Sequence, residues 1–353
     1  MIKNCYINGV GCISAQKTYD GTFLNEIIDH DNEPVVNVVK PEYHKYISPS
    51  SVRRMSSGVK NGIVASTLAM DEANIEQIDA IITGTGLGCL QDSEKFLKCL
   101  IEHDEEYLTP TPFIQSTHNT VAGQIALMHK CKGYNFTYVN TSSSFNAALL
   151  DGLMQIQTNE AKSVLVGGVD EIAPHTTSLF QIIEHYKSST TNKNDSQNGQ
   201  SKGHVCGEGC AFFVIESEKK ESSYCEVVDV HFLNRLSHKA PNEFIVDFIR
   251  KNQLELDAVD AVILGCNNDV SFDHIYDGIQ HLFSTSHLLT YKHLFGEFMT
   301  STGVATWMAC QIFKTSSIPK ELVLQEGHRP IKNILIYNQY RDRDHSLILL
   351  KNV

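Results

Sequence analysis

An internal repeat constrains the fold of this chain more than any other feature. Three pairs of segments carry it: residues 79–84 with residues 260–265, at an offset of 260 − 79 = 181; Ala122 and Gly123 with Thr302 and Gly303, at 303 − 123 = 180; and residues 135–140 with residues 333–338, at 333 − 135 = 198. Self-similarity of this kind predicts two halves of like topology, with loops absorbing the differences in spacing.

Each half alternates short apolar segments with helical ones, which is typical of an α/β unit. We therefore expect two mixed sheets with a buried layer of helices between them. The charged stretch at residues 216–223 is the best boundary, which gives an N-terminal half of residues 1–218 and a C-terminal half of residues 219–353. Residues 109–113, with two prolines, are predicted to be an extended connector, and the polar residues 188–201 a surface loop.

Residues 135–151 form the stretch most indicative of chemistry. A β-rich run, a cluster of hydroxyl side chains and a series of helix formers predict a strand, a tight turn and a buried helix. Ser143 would lie at the tip of that turn, facing the positive end of the helix and free backbone N–H groups. This geometry suits a nucleophile for acyl transfer, so the sequence makes Ser143 a candidate catalytic residue.

Composition excludes several classes of partner. The formal charge is −12 and no Lys/Arg-rich patch is evident, which argues against nucleic acid or an anionic membrane surface. The start of the sequence does not resemble a signal peptide, and no apolar run is long enough for a membrane span, so we expect a cytoplasmic protein. Ten irregularly spaced cysteines, Cys206 and Cys210 included, indicate packing thiols rather than disulfides or a zinc site.

Five signatures along the chain resemble a known family. They are the glycines of residues 84–88, residues 110–113 with residues 119–123, residues 164–168, the Gly-Glu-Gly of residues 207–209, and Lys292 with Gly296 and Gly303. Their order and spacing resemble a β-ketoacyl synthase of the thiolase-like superfamily. The resemblance implies a five-layer αβαβα fold built from duplicated halves, dimerisation across the nucleophile region, and substrates carried on an acyl carrier protein. It implies no cofactor and no metal.

The family's condensation chemistry uses a cysteine nucleophile and two histidines, and the matching positions differ here. Ser143 stands where the cysteine of the Thr-Ala-Cys pattern is expected. Gly265 stands where the first histidine is expected, and Glu297 replaces the second. Lys292 is retained. The family's late Gly-Phe-Gly-Gly turn falls on residues 339–342. A serine hydroxyl is a poor nucleophile without a base. An ionised Glu297 would repel an enolate about 4 Å away by roughly 4 kcal/mol.

These departures resemble the chain-length-factor subunits of the family, which pair with an active synthase, and more narrowly those of aryl-polyene pigment pathways. The sequence thus suggests a subunit of fatty acid, polyketide or aryl-polyene biosynthesis that forms a heterodimer with a catalytic ketosynthase, or a homodimer, and lines an acyl tunnel. Phe145 is the candidate gate of that tunnel, near the dimer surface. Thr141 and Ser144 are its other candidate substrate-binding residues.

Two alternatives remain open from the sequence. Ser143 could be activated by one of the sixteen histidines, which would give an acyltransferase or thioesterase acting on acyl carrier protein thioesters. The chain could also be a binding or scaffold protein that has kept only the fold. For the charged residues, we expect Lys292 to pair with Glu297 and Glu208 to accept backbone N–H groups. The histidines and aspartates of residues 273–287 lack metal-ligand spacing.

Overall fold

The computed structural model describes residues 3–23, 26–30, 33–188, 201–236 and 240–353. The strands are β1 Tyr6–Ile13, β2 Val35–Val36, β3 Ala80–Gly84, β4 Tyr134–Tyr138, β5 Ser163–Asp170, β6 Cys206–Gly207, β7 Gly209–Glu216, β8 Cys225–Asn234, β9 Ala261–Leu264, β10 His287–Thr290, β11 Val323–Gln325, β12 Asn333–Tyr340 and β13 Asp344–Asn352. The helices are α1 Pro49–Val52, α2 Ser57–Ala73, α3 Leu90–Glu102, α4 Pro110–Gln115, α5 Thr120–His129, α6 Ser144–Gln157, α7 Pro174–Ile182, α8 Pro241–Lys251, α9 Ile279–Leu282, α10 Lys292–Phe295 and α11 Ser301–Thr315.

The main strands form one continuous sheet, in the order β11-β10-β9-β12-β13-β8-β1-β7-β5-β3-β4. The prediction of two separate sheets was wrong in this respect, because β1 and β8 are hydrogen-bonded neighbours. Their pairing is short, with Tyr6 opposite Glu226 and Ile7 opposite Cys225. The sheet therefore consists of two mixed halves joined at a narrow central seam.

Three apolar cores lie between the layers. The central core contains α6 and α11 together with strands from both halves of the sheet. A second core lies between α2, α5 and the outer face of the first half, and a third lies between α8 and the outer face of the second half. The sequence of layers is helix, sheet, helix, sheet, helix, which confirms the αβαβα architecture that the sequence predicts.

The internal repeat is confirmed most clearly at two aspartates. Asp79 Oδ2 accepts hydrogen bonds from the N–H groups at the start of β5, and Asp260 Oδ2 accepts the equivalent bonds at the start of β12. The other two proposed pairings were wrong. In the sheet order, β12 has the position of β5 and β10 has that of β4, so α11 is the counterpart of α6 rather than of α5. Short look-alike segments do not distinguish neighbouring elements of an α/β unit.

Residues 109–113 were predicted to be extended, but α4 begins at Pro110. Proline is favoured in the first turn of a helix, where its missing N–H has no partner to lose, so the two prolines begin a helix here. The suggested boundary after residue 218 lies in the connection between β7 and β8. Residues 189–200 of the predicted surface loop lie outside the described residues. Across the described ranges, none of the helices combines the length and apolar character needed to cross a membrane.

Candidate functional site

The strand, turn and helix predicted around Ser143 are present. β4 ends at Tyr138, residues Thr141–Ser143 form one turn of 3₁₀ helix, and α6 begins at Ser144. Ser143 is the residue that precedes α6, and it is 6% exposed. The sequence therefore identified the local geometry of this turn correctly, because the change from a strand pattern to an apolar helical pattern fixes where the chain must reverse.

The immediate surroundings of Ser143 differ from those of an activated nucleophile. The turn was predicted to present free backbone N–H groups to this side chain, but the Ser143 N–H itself donates to the Asn140 carbonyl at 3.0 Å. The next N–H, of Ser144, donates to the carbonyl of Thr141. An oxyanion site needs N–H groups that are still available to the substrate. In the described part of the chain, the Ser143 Oγ also has no hydrogen-bonded histidine or carboxylate that could act as a base.

Thr141 and Ser144, the two candidate substrate-binding hydroxyls, are both used to hold the turn. Thr141 has a backbone φ of +48°, which is rare for a β-branched residue, and its hydroxyl contacts the carboxylate of Asp344 at the start of β13. Ser144 Oγ donates to the Thr141 carbonyl at 2.6 Å and accepts from the Asn140 N–H at 2.8 Å. These contacts give both residues a structural role in the turn.

Phe145 was expected near the dimer surface as a gate, whereas it lies in the central core with no exposed surface. Its ring centroid is 5.6 Å from that of Phe213. A Cβ atom added at Gly303 would lie 3.4 Å from the Phe145 ring, and one at Gly168 would lie 3.3 Å from its Cβ. Small residues on α11 and β5 thus make the space in which this ring packs.

The expected ion pair between Lys292 and Glu297 is present and almost completely buried. The two side chains are 1% and 2% exposed. Lys292 Nζ also donates to Asn338 Oδ1 at 2.7 Å, and Glu297 Oε1 accepts from Ser301 Oγ at 3.2 Å. Because both charges have opposite-charge and hydrogen-bond partners, the usual cost of burying an isolated charge is offset.

The space beside Gly265, where the family is expected to have a histidine side chain, is filled by other side chains. A Cβ atom at Gly265 would lie 2.1 Å from Asn338 Oδ1 and 2.9 Å from the Tyr276 hydroxyl, so a larger side chain would displace the Lys292 partner. The side chain that reaches the pair from this loop belongs to Asn267, whose Nδ2 donates to Glu297 Oε2 at 2.8 Å. Sequence reasoning missed Asn267, although its amide two residues after the glycine could have suggested a polar contact.

A small cavity lies beside Glu297. Its volume is about 30 Å³, and its lining includes Glu297, Phe298, His204 and Tyr340. Space of this size holds a water molecule or two and no acyl chain. Burial lowers the pKa of His204 to about 3, so this histidine is neutral at pH 7. His204 lines this cavity and Ser143 does not, so the described residues show no contact between this histidine and Ser143.

Two further carboxylates near the cavity hold loops together. Glu208 accepts N–H groups of Val38 and Ile172, which confirms its expected structural role. Asp170 accepts the N–H groups of Gly86 and Thr300 at 2.8 and 2.9 Å, thereby linking the two halves of the chain. Burial raises the pKa of Asp170 and of Glu208, although the N–H donors partly oppose this shift.

The comparison with protein families identifies the first half of this fold. The sequence model described as "Beta-ketoacyl synthase, N-terminal domain" matches residues 38–221. The 3-oxoacyl-(acyl-carrier-protein) synthase 2 of Vibrio cholerae serotype O1 is 23% identical in an alignment 203 residues long, which covers 52% of this chain and 48% of that protein. The 3-oxoacyl-(acyl-carrier-protein) synthase homolog of Saccharomyces cerevisiae is 23% identical over 43% of this chain and 34% of its own length. These alignments span half or less of the curated relatives.

Solved structures share the fold over the whole chain. A β-ketoacyl synthase from Burkholderia phymatum STM815 has a TM-score of 0.80 at 14% identity, with 99% of this chain and 100% of that one covered. The ishigamide ketosynthase/chain length factor has a TM-score of 0.78 at 16% identity, with both chains fully covered. The complex of the ketosynthase ApeO with its chain length factor ApeC from Xenorhabdus doucetiae has a TM-score of 0.78 at 14% identity, with 99% and 98% covered. The chain belongs to the β-ketoacyl synthase family.

Proposed function

We propose that this chain is a chain-length-factor-type subunit that is inactive alone, pairs with a catalytic ketosynthase and shapes the tunnel for its growing acyl chain. The observation that carries the proposal is the Lys292–Glu297 ion pair. From the sequence pattern, Glu297 stands at the second histidine position of the family, and here its carboxylate is already bound by Lys292, Asn267 and Ser301. A carboxylate in an ion pair has no proton of its own, so it cannot donate a hydrogen bond to an enolate as a histidine can.

The exposed edge of the sheet supports an interface for the partner subunit. β4 is the terminal strand of the sheet, and an unpaired edge is a ready template for association. Phe136 on this strand is 44% exposed, and its ring lies 6.0 Å from Tyr134 and 4.8 Å from Tyr138. A row of aromatic side chains, two of them exposed and Tyr138 half-buried, lies beside the Ser143 turn and is the surface that dimerisation across the nucleophile region would bury.

An acyl carrier protein is the proposed second partner. Arg53 and Arg54 are exposed between α1 and α2. Burial lowers the pKa of Lys60, and the charges of Lys40 and Lys95 lower it further. Lys40, Lys60 and Lys95 therefore lie close enough for their charges to interact, on a chain of net charge −12 whose sequence alone had indicated no basic patch. Complementary charge would favour a negatively charged carrier protein at this surface. The acyl chain involved, whether of fatty acid, polyketide or aryl-polyene type, belongs to the same proposal.

Co-expression with a catalytic ketosynthase from the same organism tests the proposal. We expect the two proteins to co-purify as a heterodimer on size-exclusion chromatography, and we expect the product length to change when this chain is omitted. A ketosynthase that purifies alone and gives the same products without this chain would contradict the proposal. Acylation or thioester hydrolysis by the isolated chain would instead favour the serine acyltransferase alternative.

A pair of edge variants sharpens this test. Phe136→Arg places a charge on β4 and is expected to abolish co-purification, because an unpaired charge would be buried in the interface. Leu324→Arg is the matched control, since Leu324 is 53% exposed on β11 at the opposite edge of the sheet. Loss of the complex in both variants would indicate general damage rather than an interface at β4.

A further inference from the structure

A groove of about 570 Å³ lies at the end of the sheet opposite to Glu297. The strands β9, β10 and β12 are parallel, and Glu297, Lys292 and Gly265 follow the carboxyl ends of these strands or lie near them. The groove is lined instead by His287, at the start of β10, and by Lys332, immediately before β12. The groove is therefore separate from the Lys292–Glu297 site, and an inference about it does not rest on the proposed function.

The floor of the groove is apolar. Ile312 and Phe313 come from the last turns of α11 and are 2% and 6% exposed. Ile318 and Ile331 flank them, and both pack against the central core as partly buried side chains. A concave surface with this lining removes hydrocarbon from water, and its volume lies within the range that small-molecule sites occupy.

The rim of the groove carries positive charge. Arg329 and Lys332 line it together with Asn352, and no aspartate or glutamate is among the described lining residues. The nearest recorded acid is Asp260, whose Oδ1 lies 3.8 Å from Arg329 Nε, at ion-pair rather than hydrogen-bond distance. Arg329 Nε is buried and has no hydrogen-bond partner in the described part of the chain. The Arg329 side chain as a whole is 38% exposed and Lys332 is exposed, so both cations can contact an anion in the groove.

We propose that this groove binds an amphipathic carboxylate, namely a free fatty acid of medium chain length. The carboxylate lies between Arg329 and Lys332, and the hydrocarbon chain lies on Ile312, Phe313 and Ile331. An inorganic anion would pair with the charges at the rim but would make no apolar contact with the floor, which distinguishes it from this ligand class. An uncharged lipid would pack on the floor but would form no ion pair with the rim.

Isothermal titration calorimetry of the full chain with sodium octanoate tests this inference. We expect saturable binding of one octanoate, and we expect binding at least tenfold weaker for acetate, which lacks the chain, and for 1-octanol, which lacks the charge. The double variant Arg329→Gln/Lys332→Gln should lose at least tenfold in affinity for octanoate. Lys98→Gln, an exposed lysine of α3, is the matched control and should bind as the wild type does.

Arg329 also contacts Thr285 at 3.3 Å, so the double variant could lose stability for another reason. Lys332→Gln alone keeps that contact and is expected to lose affinity severalfold with an unchanged melting temperature. The inference is overturned if octanoate shows no saturable binding at millimolar concentration, or if the wild type and the charge variants bind it equally.

Discussion

Lys292 and Glu297 form an ion pair in which neither side chain is more than 2% exposed. The pair joins the start of α10 to the residue just after Gly296, whose φ is +73°. The backbone of Glu297 is fixed as well, because its N–H donates to Val205 and its carbonyl accepts from Gly207, both at 2.8 to 2.9 Å. The charge pair and the Gly-Glu-Gly segment are therefore parts of one rigid assembly.

The first prediction concerns this pair. Lys292→Met and Glu297→Leu should each destabilise the fold by about 3 to 5 kcal/mol, because each leaves one buried charge without its partner. The double variant should cost much less than the sum, since it buries no charge. Urea unfolding of the four proteins provides the double-mutant cycle. Additive losses would mean that the two charges do not interact in solution.

Features of this region that depend on residues close in sequence were predicted, and features that depend on distant residues were not. The turn at Ser143 follows from apolar periodicity, which is a local feature, and the five layers were implied by the resemblance to the family. The contact of Asn267 with Glu297 was not predicted, because the space beside Gly265 is set by Asn338, which is far away in sequence. The burial of Phe145 likewise depends on glycines of two other elements, Gly168 and Gly303.

The second prediction separates two adjacent serines. Ser143→Ala should change the free energy of unfolding by less than about 0.5 kcal/mol, since its Oγ has no hydrogen bond in the described part of the chain. Ser144→Ala should cost about 1 to 3 kcal/mol, because its Oγ makes two hydrogen bonds within the turn, from the Asn140 N–H and to the Thr141 carbonyl. Urea unfolding measures both.

Mass spectrometry after incubation with an acyl thioester extends the same comparison to chemistry. We expect no adduct on Ser143 in the wild type, and we expect Ser143→Ala to support the same product length as the wild type when it is co-expressed with the partner ketosynthase. A stoichiometric acyl adduct that disappears in Ser143→Ala would establish Ser143 as a nucleophile and contradict the proposed inactivity.

The third prediction uses two glycines in opposite environments. A Cβ atom at Gly84 would lie 2.5 Å from the backbone carbonyl of Ser144, so Gly84→Ala must push β3 away from the start of α6. We expect a loss of roughly 1 to 3 kcal/mol, as for other overpacked sites. Gly123 lies inside α5 with nothing within 4 Å of an added Cβ, so Gly123→Ala should stabilise by about 0.5 to 1 kcal/mol. Opposite shifts in melting temperature are the expected result, and equal shifts would contradict this account.

The fourth prediction concerns the pH dependence of stability. Glu171 is 7% exposed, and its carboxylate accepts the N–H groups of Gly58 and Gln91 near the starts of α2 and α3. Burial raises its pKa from 4.5 to about 7, despite these two donors. Between those values the folded state binds more protons than the unfolded state, so the free energy of unfolding falls as pH rises from 4.5 to 7 and then levels off.

At about 1.4 kcal/mol per pKa unit, the contribution of Glu171 to this fall is roughly 3 kcal/mol. Glu171→Gln cannot titrate, so we expect it to lose stability relative to the wild type at pH 5 and to recover most of that deficit at pH 8. Glu160→Gln, an exposed residue after α6, is the matched control and should run parallel to the wild type. Urea unfolding at pH 5, 6, 7 and 8 gives the three profiles. A Glu171→Gln profile parallel to that of the wild type would place the titration elsewhere, on Asp170 or Glu208, whose pKa values burial also raises.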